Sequence, residues 1–155
     1  MKTVKGDLIK LAKEGQFDVI VHGCNCFCTM GAGIAKQVKS HFPNAFQADL
    51  ETKKGSEEKL GSFSSAAVLI GNHKLTIVNA YTQFHWRGRG NKADYEAIRK
   101  VFASIKENFS GAKIGYPLIG AGLAGGDWTV ISKIISEELA NEDHTLVQFV
   151  SSQPN

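Results

Sequence analysis

The chain has 155 residues, of which 43% are hydrophobic and 21% charged, and its net charge is +3. That length matches one ordinary domain with a proper core, and the balance excludes a disordered chain. So small a charge suits an anionic ligand and excludes the dense basic stripe of a dedicated nucleic-acid binder such as a histone.

Residues 1–5 alternate and end at Gly6, which predicts a short strand. Asp7 then caps a short helix striped by Leu8, Leu11 and Ala12, which stops at Gly15. Val19, Ile20 and Val21 form an apolar run suited to a strand buried on both faces. A helix opens at 31–35, with Ile34, Val38 and His41 on one face, and Pro43 marks its exit. Asn44 caps a second helical stretch over 45–53 that buries Phe46 and Leu50, and the charged residues 54–61 read as a surface loop.

Strands are predicted over 65–70 and 74–81, joined by the turn residues Gly71, Asn72 and His73. A polar loop over 82–92 leads to a helix striped by Tyr95, Ile98, Phe102 and Ile105. After a strand over 113–117, a last helix carries Val130, Ile131, Ile134, Ile135 and Leu139, and 146–150 is a closing strand. This alternation predicts a single three-layer α/β/α domain over 1–150 with a mixed, largely parallel sheet, followed by a tail at 151–155. In such sheets ligands collect at the carboxyl ends of the strands.

No apolar run approaches the roughly 20 residues that cross a bilayer, and the N-terminus lacks the apolar stretch of a signal peptide. Residence in the cytoplasm is therefore expected, with no membrane partner. Cys24, Cys26 and Cys28 are an odd, clustered set, a poor disulfide framework that points to a reducing compartment. No second Cys or Cys/His cluster completes four metal ligands, so the thiols read as small buried groups lining a strand end, and neither a metal nor a cofactor is implied.

Two segments carry chemistry. In the first, a strand ending in His22-Gly23-Cys24-Asn25-Cys26 runs through a loop into Met30-Gly31-Ala32-Gly33-Ile34-Ala35. Gly31 and Gly33 let the backbone approach an anion, and the following helix N-terminus adds partial positive charge. The Gly-Lys-Ser/Thr of a P-loop is missing, and Lys36 stands where a dinucleotide fingerprint needs a third glycine. The second segment has the same layout, from Tyr116-Pro117-Leu118 through Ile119-Gly120-Ala121-Gly122-Leu123 to Gly125-Gly126-Asp127-Trp128. Two such loops at one sheet edge can clasp a diphosphate from both sides.

With both loops in place, nearly the whole chain resembles a macro domain, a family that binds ADP-ribose and its derivatives, often as hydrolases. The resemblance implies that Asp7, beside Leu8, accepts from the adenine amino group, and that Asn25 contacts the distal ribose. Residues 31–35 then form the first diphosphate loop and 119–123 the second. The stretch at 22–26 resembles that of the yeast-type ADP-ribose 1''-phosphate phosphatases, in which the histidine is implicated in phosphate removal. The stretch at 120–128, with His85-Trp86-Arg87, instead resembles antitoxin hydrolases that strip ADP-ribose from DNA bases. Two departures weaken that second likeness: Gln83 stands where the antitoxins carry their lysine, and Ala124 where a related hydrolase of acyl-linked ADP-ribose carries aspartate.

His22, with an ordinary pKa of about 6.5, can shuttle a proton or attack phosphorus, and a half-buried structural histidine is the competing reading. Asp127 either orients water or caps the last helix. Asn25 offers an amide that both donates and accepts, and Asn79 supports the loops. Phe84, His85, Trp86, Arg87 and Arg89 form an aromatic-basic cluster, either a lid or a stacking surface. The leading expectation is phosphate release from ADP-ribose 1''-phosphate, with His22, Asn25 and Asp127 as the catalytic set. The alternatives are removal of ADP-ribose from modified DNA or protein, and a non-catalytic reader of ADP-ribose.

Overall fold

The computed structural model describes residues 1–88 and 90–150. The expected tail at 151–155 and Arg89 of the aromatic-basic cluster lie outside the described residues. In chain order the elements are β1 (Lys2–Gly6), α1 (Leu8–Lys13), β2 (Val19–Cys24), α2 (Gly33–His41), α3 (Pro43–Leu50), β3 (Phe63–Ile70), β4 (His73–Tyr81), α4 (Tyr95–Phe109), β5 (Lys113–Tyr116), α5 (Trp128–Glu138) and β6 (Asp143–Phe149). A single 3₁₀ turn, Glu57–Lys59, interrupts the segment expected to be a plain loop.

The strands form one mixed sheet in the order β1-β6-β5-β2-β4-β3. All neighbours pair in parallel except β3, which runs antiparallel to β4 at the edge. The carboxyl ends of β1, β6, β5, β2 and β4 therefore share one edge of the sheet.

Period-two alternation sorts the core into two layers. Val19 and Val21 of β2 face a cluster with Val78, Ile114, Tyr116 and the α4 and α5 residues Ile98, Phe102, Ile131 and Ile135. Ile20, between them, faces the opposite cluster with Leu75, Ile77, Val147 and residues of α1, α2 and α3. No helix among the described residues is long and apolar enough to cross a membrane.

Three local expectations are corrected. α2 ends at His41, just before Pro43 as expected, but Pro43 and not Asn44 opens α3, because its fixed φ and missing N–H suit the first helical turn. Leu50 is 47% exposed, since Ala45 and Asp49, four apart, hold the buried face of α3. Val130 is also exposed, because it lies one position off the stripe of Ile131, Ile134, Ile135 and Leu139.

Phe102 is wholly buried and meets the Tyr116 ring edge-on at 6.0 Å. Phe102→Ala is expected to destabilise the fold by about 3–5 kcal/mol, read as a lower urea midpoint with an unchanged slope.

Candidate functional site

Three loops leave the shared edge, after β2, β4 and β5, and hydrogen bonds tie them together. Register sets the starting points: Cys24 of β2 lies opposite Tyr81 of β4. Thr82 N–H donates to Cys24 O (3.2 Å), Cys26 N–H to Phe84 O (2.9 Å) and Lys92 N–H to Ala124 O (2.7 Å). The loop over 82–94 is thus bonded to both glycine-rich segments and spans them.

The two glycine-rich loops meet. A side chain built at Gly33, where φ is +58°, would place its Cβ 3.2 Å from Leu123 Cδ1, so the first loop has glycine both for its backbone conformation and for this approach. At Gly31 and Gly122 a Cβ would meet nothing within 4 Å, so the protein's own packing does not explain glycine there.

Helix capping divides the helices into two sets. Asp7, Asp94 and Asp127 cap α1, α4 and α5 through their carboxylates, whereas neither α3, which opens on Pro43, nor α2, which begins after Ala32, has a side-chain cap. The first N–H groups of α2 and the positive end of its dipole are left to solvent or an anion. In the second loop, backbone bonds use the amides of Ile119, Ala121, Gly125 and Gly126. Among the described residues, those of Gly120, Gly122 and Leu123 stay outside that bonding.

The expected site residues divide by burial. Leu8, Met30 and Ile119 are buried, so their side chains anchor the loops. Gly31, Ala32, Gly33, Gly122 and Leu123 are exposed, while Ile34, Ala35, Gly120 and Ala121 are half-buried. Asp7 lies at the same edge after β1, where its Oδ1 accepts from Ile9 N–H (2.9 Å) and Lys10 N–H (3.2 Å).

Asn25 is almost buried, and its amide holds its own loop: Nδ2 donates to Thr29 Oγ1 (2.7 Å), and Oδ1 accepts from Phe27 N–H (2.8 Å). Asp127 is exposed and accepts from Thr129 N–H (2.9 Å), which is the cap geometry.

His22 is 1% exposed. Asn79 Nδ2 donates to Ala45 O (2.9 Å) and Ser64 Oγ (3.0 Å), which aims its Oδ1 at the histidine. His22 Nε2–H therefore donates to that oxygen (2.7 Å), leaving Nδ1 as the unprotonated nitrogen, 3.7 Å from Cys24 Sγ. Burial lowers the ring's pKa to about 4, against the smaller raising effect of Asn79. A shielded, neutral imidazole with its proton already committed counts against the expected proton carrier or phosphorus nucleophile.

Beneath the first loop lies a polar cluster that sequence reasoning missed. Lys59, in the segment expected to be a surface loop, is buried; its Nζ donates to Cys26 O (3.1 Å) and sits 4.5 Å from the Tyr81 ring centre. Tyr81 Oη donates to Asp49 Oδ1 (2.6 Å), and burial raises the Asp49 carboxyl above its ordinary range. Burial also pushes the Cys26 thiol up to about 11 and Cys24 well above its usual value, so both stay protonated at neutral pH. Nothing in the charged run 54–61 marks Lys59 as different from its neighbours; only the fold selects it.

The His22 environment makes stability depend on pH. With a folded pKa of about 4 against an ordinary 6.5, the unfolded chain takes up the proton first as pH falls. The contribution is complete above pH 6.5 and is lost progressively down to about pH 4; it amounts to about 3 kcal/mol. Chemical denaturation of wild type and His22→Gln at pH 7 and pH 4.5 is expected to show a smaller acid loss in the variant. Asp49 acts with the opposite sign but is common to both proteins.

A family model described as "Macro domain" matches residues 21–135. The chain is 39% identical over 141 residues to a 17.5 kDa protein in the tk-vs intergenic region of Enterobacteria phage T4, covering 87% of each. It is 28% identical over 123 residues to the DNA ADP-ribosyl glycohydrolase of Mycobacterium tuberculosis, covering 79% of this chain but only 34% of that protein. Among solved structures, Thermosipho africanus DarTG in complex with ADP-ribose superimposes with a TM-score of 0.72 at 19% identity, over 100% of this chain and 43% of that one. The chain thus spans about a third of that glycohydrolase. Matched through the helices and strands that carry both glycine-rich loops, this chain belongs to the macro domain family.

Proposed function

We propose that the chain binds ADP-ribose, with the diphosphate between the α2 N-terminus and the 119–123 loop, and that it removes ADP-ribose from modified DNA. The observation that carries the binding reading is the meeting of the two loops at Gly33 and Leu123 beside an α2 terminus that no side chain caps. Main-chain amides and a helix dipole neutralise a diphosphate without a metal. Asp7, at the same edge, is the adenine contact in this reading. The likeness to DarTG in complex with ADP-ribose and to a DNA ADP-ribosyl glycohydrolase supports ligand and substrate respectively.

Hydrolysis requires water at the anomeric carbon and stabilisation of the departing group. Asn25 shapes the first loop, and Asp127, exposed at the end of the second, is the carboxylate available to orient water. Release of phosphate from ADP-ribose 1''-phosphate would require the buried His22 to become exposed, and we rank it below DNA demodification for that reason.

A second reading, binding without turnover, is favoured by Gln83. Its Nε2 donates to His85 O (3.1 Å), so the position contributes a neutral amide engaged with its own loop.

Two substitutions separate binding from folding. Gly31→Val and Gly122→Val add side chains where the protein offers open space. Both are expected to lower ADP-ribose affinity at least about tenfold by calorimetry while changing stability by less than about 1 kcal/mol. Wild-type binding as weak as the variants' would sink the reading. Incubation with an ADP-ribosylated single-stranded oligonucleotide is expected to release ADP-ribose, faster in Gln83→Lys than in wild type. Binding with no release from this substrate, and no phosphate from ADP-ribose 1''-phosphate, leaves the reader.

A further inference from the structure

The loop over 82–92 carries an aromatic assembly to which the contacts proposed for ADP-ribose assign no role. His85 and Trp86 stack with ring centres 4.2 Å apart and planes 16° from parallel. Phe27, on the Asn25 loop, packs beside both, at 4.7 Å from His85 and 5.8 Å from Trp86, and meets Phe84 edge-on at 5.0 Å. Arg87 N–H donates to His85 Nδ1 (2.9 Å), which fixes the tilt of the imidazole. The Arg87 guanidinium covers the Trp86 ring at 5.2 Å.

Despite these contacts Trp86 is 40% exposed, in a domain whose other tryptophan packs against the core. The loop itself is cationic, while the run beside Phe27 carries both signs, with Glu51, Glu57 and Glu58 exposed near its lysines. Arg87 and Lys92 belong to the same loop, whose residues 82–93 include no carboxylate. Lys53 and Lys54 are exposed beside Gly55, where a Cβ would lie 3.3 Å from the Phe27 ring.

Flat rings held in place by packing, with cations around them, suit a base and its phosphates rather than a protein side chain. We propose that Trp86, supported by His85 and Phe27, stacks a nucleobase of single-stranded DNA, and that Arg87, displaced from the ring, contacts a neighbouring phosphate. The platform deepens the proposed function and rests on it for its biological meaning: it would seat the strand that carries the modified base next to the Asn25 loop. Stacking tolerates every base, so affinity here selects strand state rather than sequence.

The test uses a fluorescein-labelled, unmodified single-stranded DNA 12-mer in anisotropy titrations, with ADP-ribose calorimetry run in parallel on the same proteins. Trp86→Ala is expected to weaken oligonucleotide binding by about 5- to 100-fold, and Trp86→Phe to stay within about threefold of wild type. ADP-ribose affinity and melting temperature are expected to stay unchanged in both. Arg87→Ala is expected to lower the slope of log affinity against log salt by about one. Equal oligonucleotide affinity in wild type and Trp86→Ala overturns the proposal, as does tighter binding of an acidic peptide of equal charge, or no binding of the 12-mer by wild type. Failure of the ADP-ribose reading gives a different pattern: Trp86-dependent oligonucleotide binding with no calorimetric signal for ADP-ribose.

Discussion

Parallel pairing of β2 with β4 on one side and β5 on the other governs where chemistry can occur in this molecule. Each strand must end at the same edge as its neighbours, so the segments after Cys24, Tyr81 and Tyr116 emerge side by side. A parallel strand needs a crossover before the next can pair, and the glycine-rich residues fall where two such crossovers begin. The site is a consequence of the topology, with loop composition deciding what it can hold.

Beneath that edge the polar cluster of Asp49, Lys59, Tyr81, His22 and Asn79 keeps the loops in place. Its members are buried, so each unpaired group would be destabilising, and most are paired. Lys59 holds the carbonyl of Cys26, Asn79 orients His22, and Tyr81 engages Asp49. Such a network is a support for the first loop, and its burial keeps the His22 ring neutral and the Cys24 and Cys26 thiols protonated at neutral pH. Above the edge the polarity reverses: backbone amides, a free helix terminus and an aromatic-basic loop face outward.

Part of this was legible in the chain. The strand–glycine–helix pattern at 31–35 and 119–123 is local, since glycine spacing and a helix start are written in a dozen consecutive residues. Asp127 as a cap was legible for the same reason. The role of His22 was not, because a histidine after an apolar run is compatible with a solvent-facing base and with a buried donor. Its choice was made by Asn79, 57 positions away. Asn25 was legible as an amide in the first loop, but not the way that amide is engaged by Thr29 and Phe27.

The sequence by itself determined the order of strands and helices, the apolar stripes that sort into two core layers, and the two loops able to approach an anion, because each rests on neighbours along the chain. Tertiary structure alone decided that the loops touch at Gly33 and Leu123, that Lys59 is buried while Leu50 is exposed, and that Trp86 stands stacked at the rim. Those outcomes depend on burial and charge among residues far apart in sequence, and desolvation acts only once the chain has closed around them.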